Sequence, residues 1–216
     1  MAPYDNELVL PRPGTWSRTW TKAVPAPTEA VFTAAFGTLR PLAKYLNTDD
    51  GKAAYYELLP STSVGNASTL DRVLFVHGVQ TPALGMLPLA RALHESSPHA
   101  HFVLVDLWGH GLSDTPIVPH TASLFLKLLN DLLDHLAWPS AHLVGFSFGG
   151  ATTAGYVASR PTRVQSFILI APAGLLRFSD FSPEQQAHLI GSEDEVAAHK
   201  RVLEMLEGGE LVVPKD

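Results

Sequence analysis

Gly145-Phe146-Ser147-Phe148-Gly149-Gly150 stands between an apolar run, His142-Leu143-Val144, and a stretch of small residues over 150–159. The run predicts a buried strand and the small-residue stretch a helix. The hexapeptide then spans a sharp strand-to-helix turn and fits G-x-S-x-G in the context that motif requires. In such a turn the residues two before and two after the serine approach each other, so both positions favour glycine. The serine is forced into a strained backbone geometry, and its hydroxyl is pushed out at the top of the sheet. A helix starting near Gly149 points its positive end at the same place. Ser147 is thus the candidate nucleophile. A glycine-rich turn carrying a solvated serine has the same short pattern by chance, and the flanking strand and helix favour the first reading.

Working outward, Val73-Leu74-Phe75-Val76 and Phe102-Val103-Leu104-Val105 are short continuous apolar runs, as buried strands require. Residues 84–95 carry helical spacing between them. Phe125, Leu128, Leu129, Leu132, Leu133 and Leu136 follow the i, i+3, i+4, i+7 pattern of an amphipathic helix. Residues 164–170 give a further strand after the small-residue helix. Strands alternating with helices predict the α/β class: a largely parallel sheet flanked by helices, joined by right-handed crossovers. Ligands bind such sheets at the carboxyl ends of the strands. The informative loops are therefore those after residues 76, 105, 146 and 170.

Residues 1–41 are rich in Pro, Thr and Trp and predict an irregular arm, helical near Glu29–Phe36. The runs 43–46 and 53–59 flank Thr48-Asp49-Asp50-Gly51, a hairpin signal. Residues 61–69 read as a polar loop. After Pro172 the pattern changes to two capped helices, opened by Ser182-Pro183-Glu184-Gln185 and Ser192-Glu193-Asp194-Glu195. Gly191 and Gly208-Gly209 are their stops. The expected organisation is an arm over 1–41, an α/β core over 42–174 and a helical segment over 175–216.

The 216 residues allow one sizeable domain, and 46% hydrophobic with 17% charged residues is ordinary for a globular protein. A net charge of −6 gives no reason to expect nucleic acid or an anionic membrane as partner. The absence of cysteine excludes disulfides, thiolate metal sites and a cysteine nucleophile. No metal and no cofactor is expected. The start, Met1-Ala2-Pro3-Tyr4-Asp5-Asn6-Glu7, lacks a basic n-region and a long apolar run. No apolar stretch reaches the roughly 18 residues of a membrane span. A soluble cytoplasmic protein acting on a small molecule is the expectation.

Two further motifs precede Ser147. His77-Gly78-Val79-Gln80 follows one strand, and Asp106-Leu107-Trp108-Gly109-His110-Gly111-Leu112-Ser113-Asp114 follows the next. With the serine turn, in this order, the chain resembles the α/β-hydrolase superfamily, in its serine hydrolase branch, over about residues 43–174. That branch often has Pro where Trp108 stands. Serine in the turn sets the chain apart from the haloalkane dehalogenase and epoxide hydrolase branches, which place Asp there. The resemblance implies acyl transfer on an ester or related carbonyl, with C–C-bond hydrolysis as a variant. Ser147 would attack, and the Val79 and Phe148 N–H groups would bind the oxyanion. His77, Gly78 and Phe146 would border the bound substrate. The His77 side chain is expected to hold its loop rather than move protons. Asp106 and Asp114 are expected as turn or capping residues, and His110 is not expected as the base.

The superfamily's order is Ser, then Asp or Glu, then His near the domain's end. Residues 148–216 read as one helix, one strand and two helices, the last two in the place of a lid. His188 and His199 fall inside the lid helices. Asp180, Asp194 and Asp216 lack a preceding strand, and the loop Ala171-Pro172-Ala173-Gly174 holds no acid. No acid and no base is carried over, and the C-terminal part of such a core is expected to be absent. The alternative reading is a truncated, non-catalytic relative that binds a ligand or partner. The strand over 164–170 is then an open apolar edge that favours self-association, with the oligomeric state left open.

Overall fold

The structure, a computed structural model, describes residues 22–36, 41–61 and 70–174, with Pro183. Residues 17–174 form one compact unit. The polar loop at 62–69, the two helices expected after residue 181, and Asp180, His188, Asp194, His199 and Asp216 lie outside the described residues.

The Asp-Gly hairpin forms as its pattern demands. β2 (Lys44–Asn47) and β3 (Lys52–Leu58) run antiparallel, with Asn47 opposite Lys52. Gly51 takes φ +145°, which closes the turn against Asp114. β4 (Arg72–Val76), β5 (His101–Val105), β7 (Ala141–Phe146) and β8 (Val164–Ile170) supply the rest of a six-stranded sheet. Its order is β2-β3-β5-β4-β7-β8. β4, β5, β7 and β8 pair in parallel, and β3 joins β5 antiparallel.

Register places the site. Val76, the last residue of β4, lies opposite Val105 on one side and Gly145 on the other. The chain therefore leaves β4, β5 and β7 side by side, and their loops meet at one carboxyl edge. This is where open α/β sheets hold ligands.

Helices pack on the strands through the residues their spacing announced. α3 (Ala122–His135) buries Leu124, Phe125, Leu128, Leu129, Leu132 and Leu133. They meet Leu74, Val76, Val103, Val105 and Leu143 of the sheet in one cluster. Each such leucine contributes about 1.5–3 kcal/mol relative to its exposed state. On the opposite face Phe75, Phe102, Leu104 and Val144 pack with Ala90 of α2 (Leu87–Ser96). The spacing from Leu84 predicts helix throughout, but the first turn, Ala83–Met86, is 3-10 and α2 begins behind it. α4 (Phe148–Ser159) follows β7 after one residue.

Part of the expected arm lies among the described residues. α1 (Glu29–Phe36) forms where expected, and its Phe32 packs with Ala54 and Leu112. β1 (Ala23–Val24) pairs antiparallel with β6 (Thr115–Pro116). Two-residue strands carry no readable periodicity, so neither was expected. Asp114 ties this region together, accepting the Ala26 N–H at 2.9 Å and the Lys52 N–H at 2.8 Å.

Among the described residues β8 has one neighbour, β7. Its successive residues Phe167 and Ile168 point to opposite faces and are 48% and 55% exposed. No described helix is long and apolar enough to cross a membrane.

Candidate active site

Ser147 is the single residue between β7 and α4, at φ 52° and ψ −119°. A non-glycine residue held there stores about 1–3 kcal/mol, which the surroundings must supply. They do so through its backbone. The Ser147 N–H donates to the Ile170 carbonyl at 3.0 Å. Its carbonyl accepts from the Gly150, Ala151 and Ala173 N–H groups at 2.9, 3.2 and 2.8 Å. The start of α4 and the loop after β8 thus clamp the turn. The positive end of α4 faces this turn.

The glycines around it are explained by close approach. A Cβ on Gly145 would stand 2.6 Å from the Gly149 carbonyl oxygen and 2.8 Å from the Gly150 Cα. That is the approach of strand and helix expected from the sequence. Gly149 answers to something else: a Cβ there would overlap the Val76 and His77 carbonyls at the end of β4. Gly150 lies against the loop after β8, with Pro172 Cβ 2.8 Å from where its own would be.

The loop after β4 packs directly on the serine. A Cβ on Gly78 would stand 2.9 Å from the Ser147 Cβ and 3.2 Å from the Phe146 ring. Phe146 ends β7 and is 37% exposed, and Val79 is 54% exposed. The Phe148 ring leans edge-on against Phe125 at 5.1 Å between centroids. Ser147, Gly78, Phe146, Val79 and Phe148 therefore come to one edge of the sheet.

His77 lies beneath that edge, fully buried. Its Nε2 accepts the Leu107 N–H at 2.9 Å, so its proton sits on Nδ1 and is donated to the Gly78 carbonyl at 2.6 Å. Burial lowers its pKa to about 4 although the bond to the Gly78 carbonyl opposes the fall, so the ring is neutral at pH 7. Both ring nitrogens are occupied, and the side chain fastens the loop. The Gly78 carbonyl also accepts from the Thr81 hydroxyl at 3.2 Å. In a trans peptide N–H and C=O point oppositely. With the Gly78 carbonyl turned down onto His77, the Val79 N–H of the same peptide is turned away from it. Among the described residues neither this N–H nor that of Phe148 has a hydrogen-bond acceptor.

The motif after β5 is a staple. Asp106 is fully buried and accepts from the Tyr56 hydroxyl at 3.0 Å, the Leu112 N–H at 3.0 Å and the Ala83 N–H at 2.7 Å. Burial pushes its carboxyl above the usual range although these three donors oppose the rise. Gly111, at φ +52°, passes so close that a Cβ would collide with this carboxylate. Ser113 bridges the Asp106 carbonyl at 2.7 Å and the Ala54 N–H at 2.8 Å. Trp108, which stands where the resembling branch has Pro, is buried at 2% exposure. His110 Nδ1 lies 3.0 Å from the Trp108 carbonyl, and its Nε2 accepts the Gln80 N–H at 3.3 Å. The sequence reading missed this last bond. The one available signal was a second histidine in a glycine turn neighbouring the His77 loop. Among the described residues no three His, Cys, Asp or Glu side chains are grouped to hold a metal ion.

The fold and this edge define a class. The alpha/beta hydrolase fold profile matches residues 71–195, more than half of the chain, and the chain belongs to that family. It is similar to the monoacylglycerol lipase abhd6-B of Xenopus laevis, 30% identical over 118 residues, covering 53% of this chain and 34% of that protein. Lipase LipV of Mycobacterium tuberculosis is 35% identical over 102 residues, covering 47% of this chain and 37% of that one. The chain thus spans about a third of the length of these curated relatives. A hydrolase from Pseudomonas aeruginosa PA01 of known structure superposes with a TM-score of 0.57 at 24% identity, over 81% of this chain and 64% of that one. This last likeness concerns the fold.

Proposed function

We propose that the chain is the nucleophile-bearing part of a serine hydrolase that cleaves an ester or related carbonyl of a small molecule. One observation carries the reading: Ser147 is held at a positive φ between strand and helix, and among the described residues the Val79 and Phe148 N–H groups beside it have no hydrogen-bond acceptor. A tetrahedral intermediate formed by its hydroxyl would have its oxyanion met by Val79 N–H and Phe148 N–H. Each such donor is worth about 2.7–4 kcal/mol in the transition state. The exposed Val79 and partly exposed Phe146 make this edge apolar, which suits an acyl group better than a charged one. The names of the two lipase relatives agree with this substrate class.

The base and acid that activate the serine are left unassigned. His77 does not serve as base, since neither ring nitrogen is free. His110 is likewise engaged at both. The competing reading is a protein that binds a ligand or partner without turning it over. Assay of the protein and its Ser147→Ala variant with an activated ester separates the two. Ser147-dependent hydrolysis supports the hydrolase; hydrolysis absent from a folded protein supports the binding role.

A further inference from the structure

We infer that His110 is a positioning residue for the proposed oxyanion hole, holding the peptide that follows Val79. The inference rests on the assignment of the Val79 N–H as an oxyanion donor.

A carbonyl accepts only from a donor, so the 3.0 Å approach of His110 Nδ1 to the Trp108 carbonyl places the ring proton on Nδ1. Nε2 is then bare, and it accepts the Gln80 N–H at 3.3 Å. Gln80, exposed, stands at φ 62°, a region that residues other than glycine seldom adopt. The bond to His110 is the one contact shown for its backbone N–H.

The two imidazoles divide the task. Val79 lies between two rigid peptide planes. His77 fixes the plane before it through the Gly78 carbonyl at 2.6 Å. His110 fixes the plane after it through the Gln80 N–H. The rings meet edge-on at 5.0 Å between centroids, so each also limits the other's rotation. With both planes set, the φ and ψ of Val79 are set, and so is the direction of its N–H. Loss of either anchor lets the loop turn about Val79 while the buried fold below it stays as it is. His110 is partly exposed, so it is replaceable where buried His77 is not.

The side-chain geometry provides a discriminating test. The amide oxygen of glutamine reaches about as far as Nε2, whereas that of asparagine stops near Nδ1. Uniformly 15N-labelled protein is compared with its His110→Ala, His110→Gln and His110→Asn variants. Two quantities are read: amide hydrogen exchange at Gln80, and the rate at which a fluorophosphonate modifies Ser147. His110→Ala and His110→Asn are expected to speed Gln80 exchange and slow modification, each by about tenfold, the size of one hydrogen bond. His110→Gln is expected to keep both within about twofold of the native protein, at an unchanged thermal midpoint. Equal behaviour of the Gln and Asn variants, or unchanged Gln80 exchange in His110→Ala, overturns the inference. A native protein whose Ser147 is never modified defeats the hydrolase reading instead, and Gln80 exchange in the three variants still decides the role of His110.

Discussion

Gly78 lies so close to Ser147 that a methyl group added to it would stand 2.9 Å from the serine Cβ. Real Cβ atoms do not sit that near one another, so one of the two loops must move. The backbone of Ser147 is clamped by four hydrogen bonds to Ile170, Gly150, Ala151 and Ala173, and the Gly78 loop is the part that yields. Gly78→Ala is therefore expected to leave the fold within about 1–2 kcal/mol of the native stability, a mild overpacking. Fluorophosphonate modification of Ser147 should slow by at least about tenfold, since the Val79 N–H moves with the loop. Modification at the native rate in Gly78→Ala would show that this loop takes no part.

Gly149 gives the complementary case, in which the obstacle is backbone at the end of β4 and nothing flexible can retreat. Gly149→Ala should destabilise the fold by several kcal/mol, in the range of severe core mutations. Gly155, on the same helix, has a flexible Leu126 side chain 3.6 Å from its added Cβ, so Gly155→Ala should be nearly neutral or stabilising. Urea unfolding of both variants checks the contrast. Near-native stability of Gly149→Ala would mean that α4 does not approach β4 as described.

His77 makes stability depend on pH. Its folded pKa of about 4 lies below the unfolded value of 6.5, so between these values the unfolded chain binds more protons. Stability therefore rises with pH across this window and is lost as pH falls through it, by roughly 3 kcal/mol at pH 4 and below for this residue. Asp106 acts in the opposite sense, because burial raises its carboxyl pKa. The difference between the native protein and His77→Gln isolates the histidine. That difference should shrink as urea unfolding is moved from pH 7.5 to pH 4.5, and a constant difference would contradict the buried neutral ring.

The edge that β8 forms among the described residues also has a measurable consequence. β8 carries no charge, proline or glycine over Val164–Ile170, and both Phe167 and Ile168 are about half exposed. Neutral, apolar edges pair with other strands, and a lysine blunts them. We propose that copies of the chain associate through this edge. Sedimentation should show association that grows with concentration and weakens in Ile168→Lys. Equal association by both proteins would place the contact elsewhere.

Much of this was legible in the sequence because the signals were local. The period of Phe125, Leu128, Leu129, Leu132 and Leu133 gave α3, and the Asp-Gly pair gave the β2–β3 hairpin. The serine turn was readable because Gly145, Ser147 and Gly149 are close in sequence and stand between a recognisable strand and helix. What escaped was set by distant partners. β1 and β6 are short and pair across nearly the whole arm-to-loop separation, with no pattern of their own. The reason for Gly149 lies in β4, far back in the chain, and sequence reasoning placed it wholly within the turn. Asp106 was expected as a turn or capping residue, and beyond the Leu112 N–H of its own turn it also takes the Tyr56 hydroxyl and the Ala83 N–H from distant segments, which no local pattern announces. The bond from Gln80 to His110 joins two loops that only the parallel register of β4 and β5 brings together.

The central claim is that Ser147 is the nucleophile. Mass spectrometry of the fluorophosphonate-treated protein tests it most directly, because the covalent adduct reports which hydroxyl attacked. The expected result is a single adduct on the peptide containing Ser147, absent from Ser147→Ala and slowed in Gly78→Ala. An adduct that persists in Ser147→Ala, or a folded protein whose Ser147 remains unmodified, would contradict it.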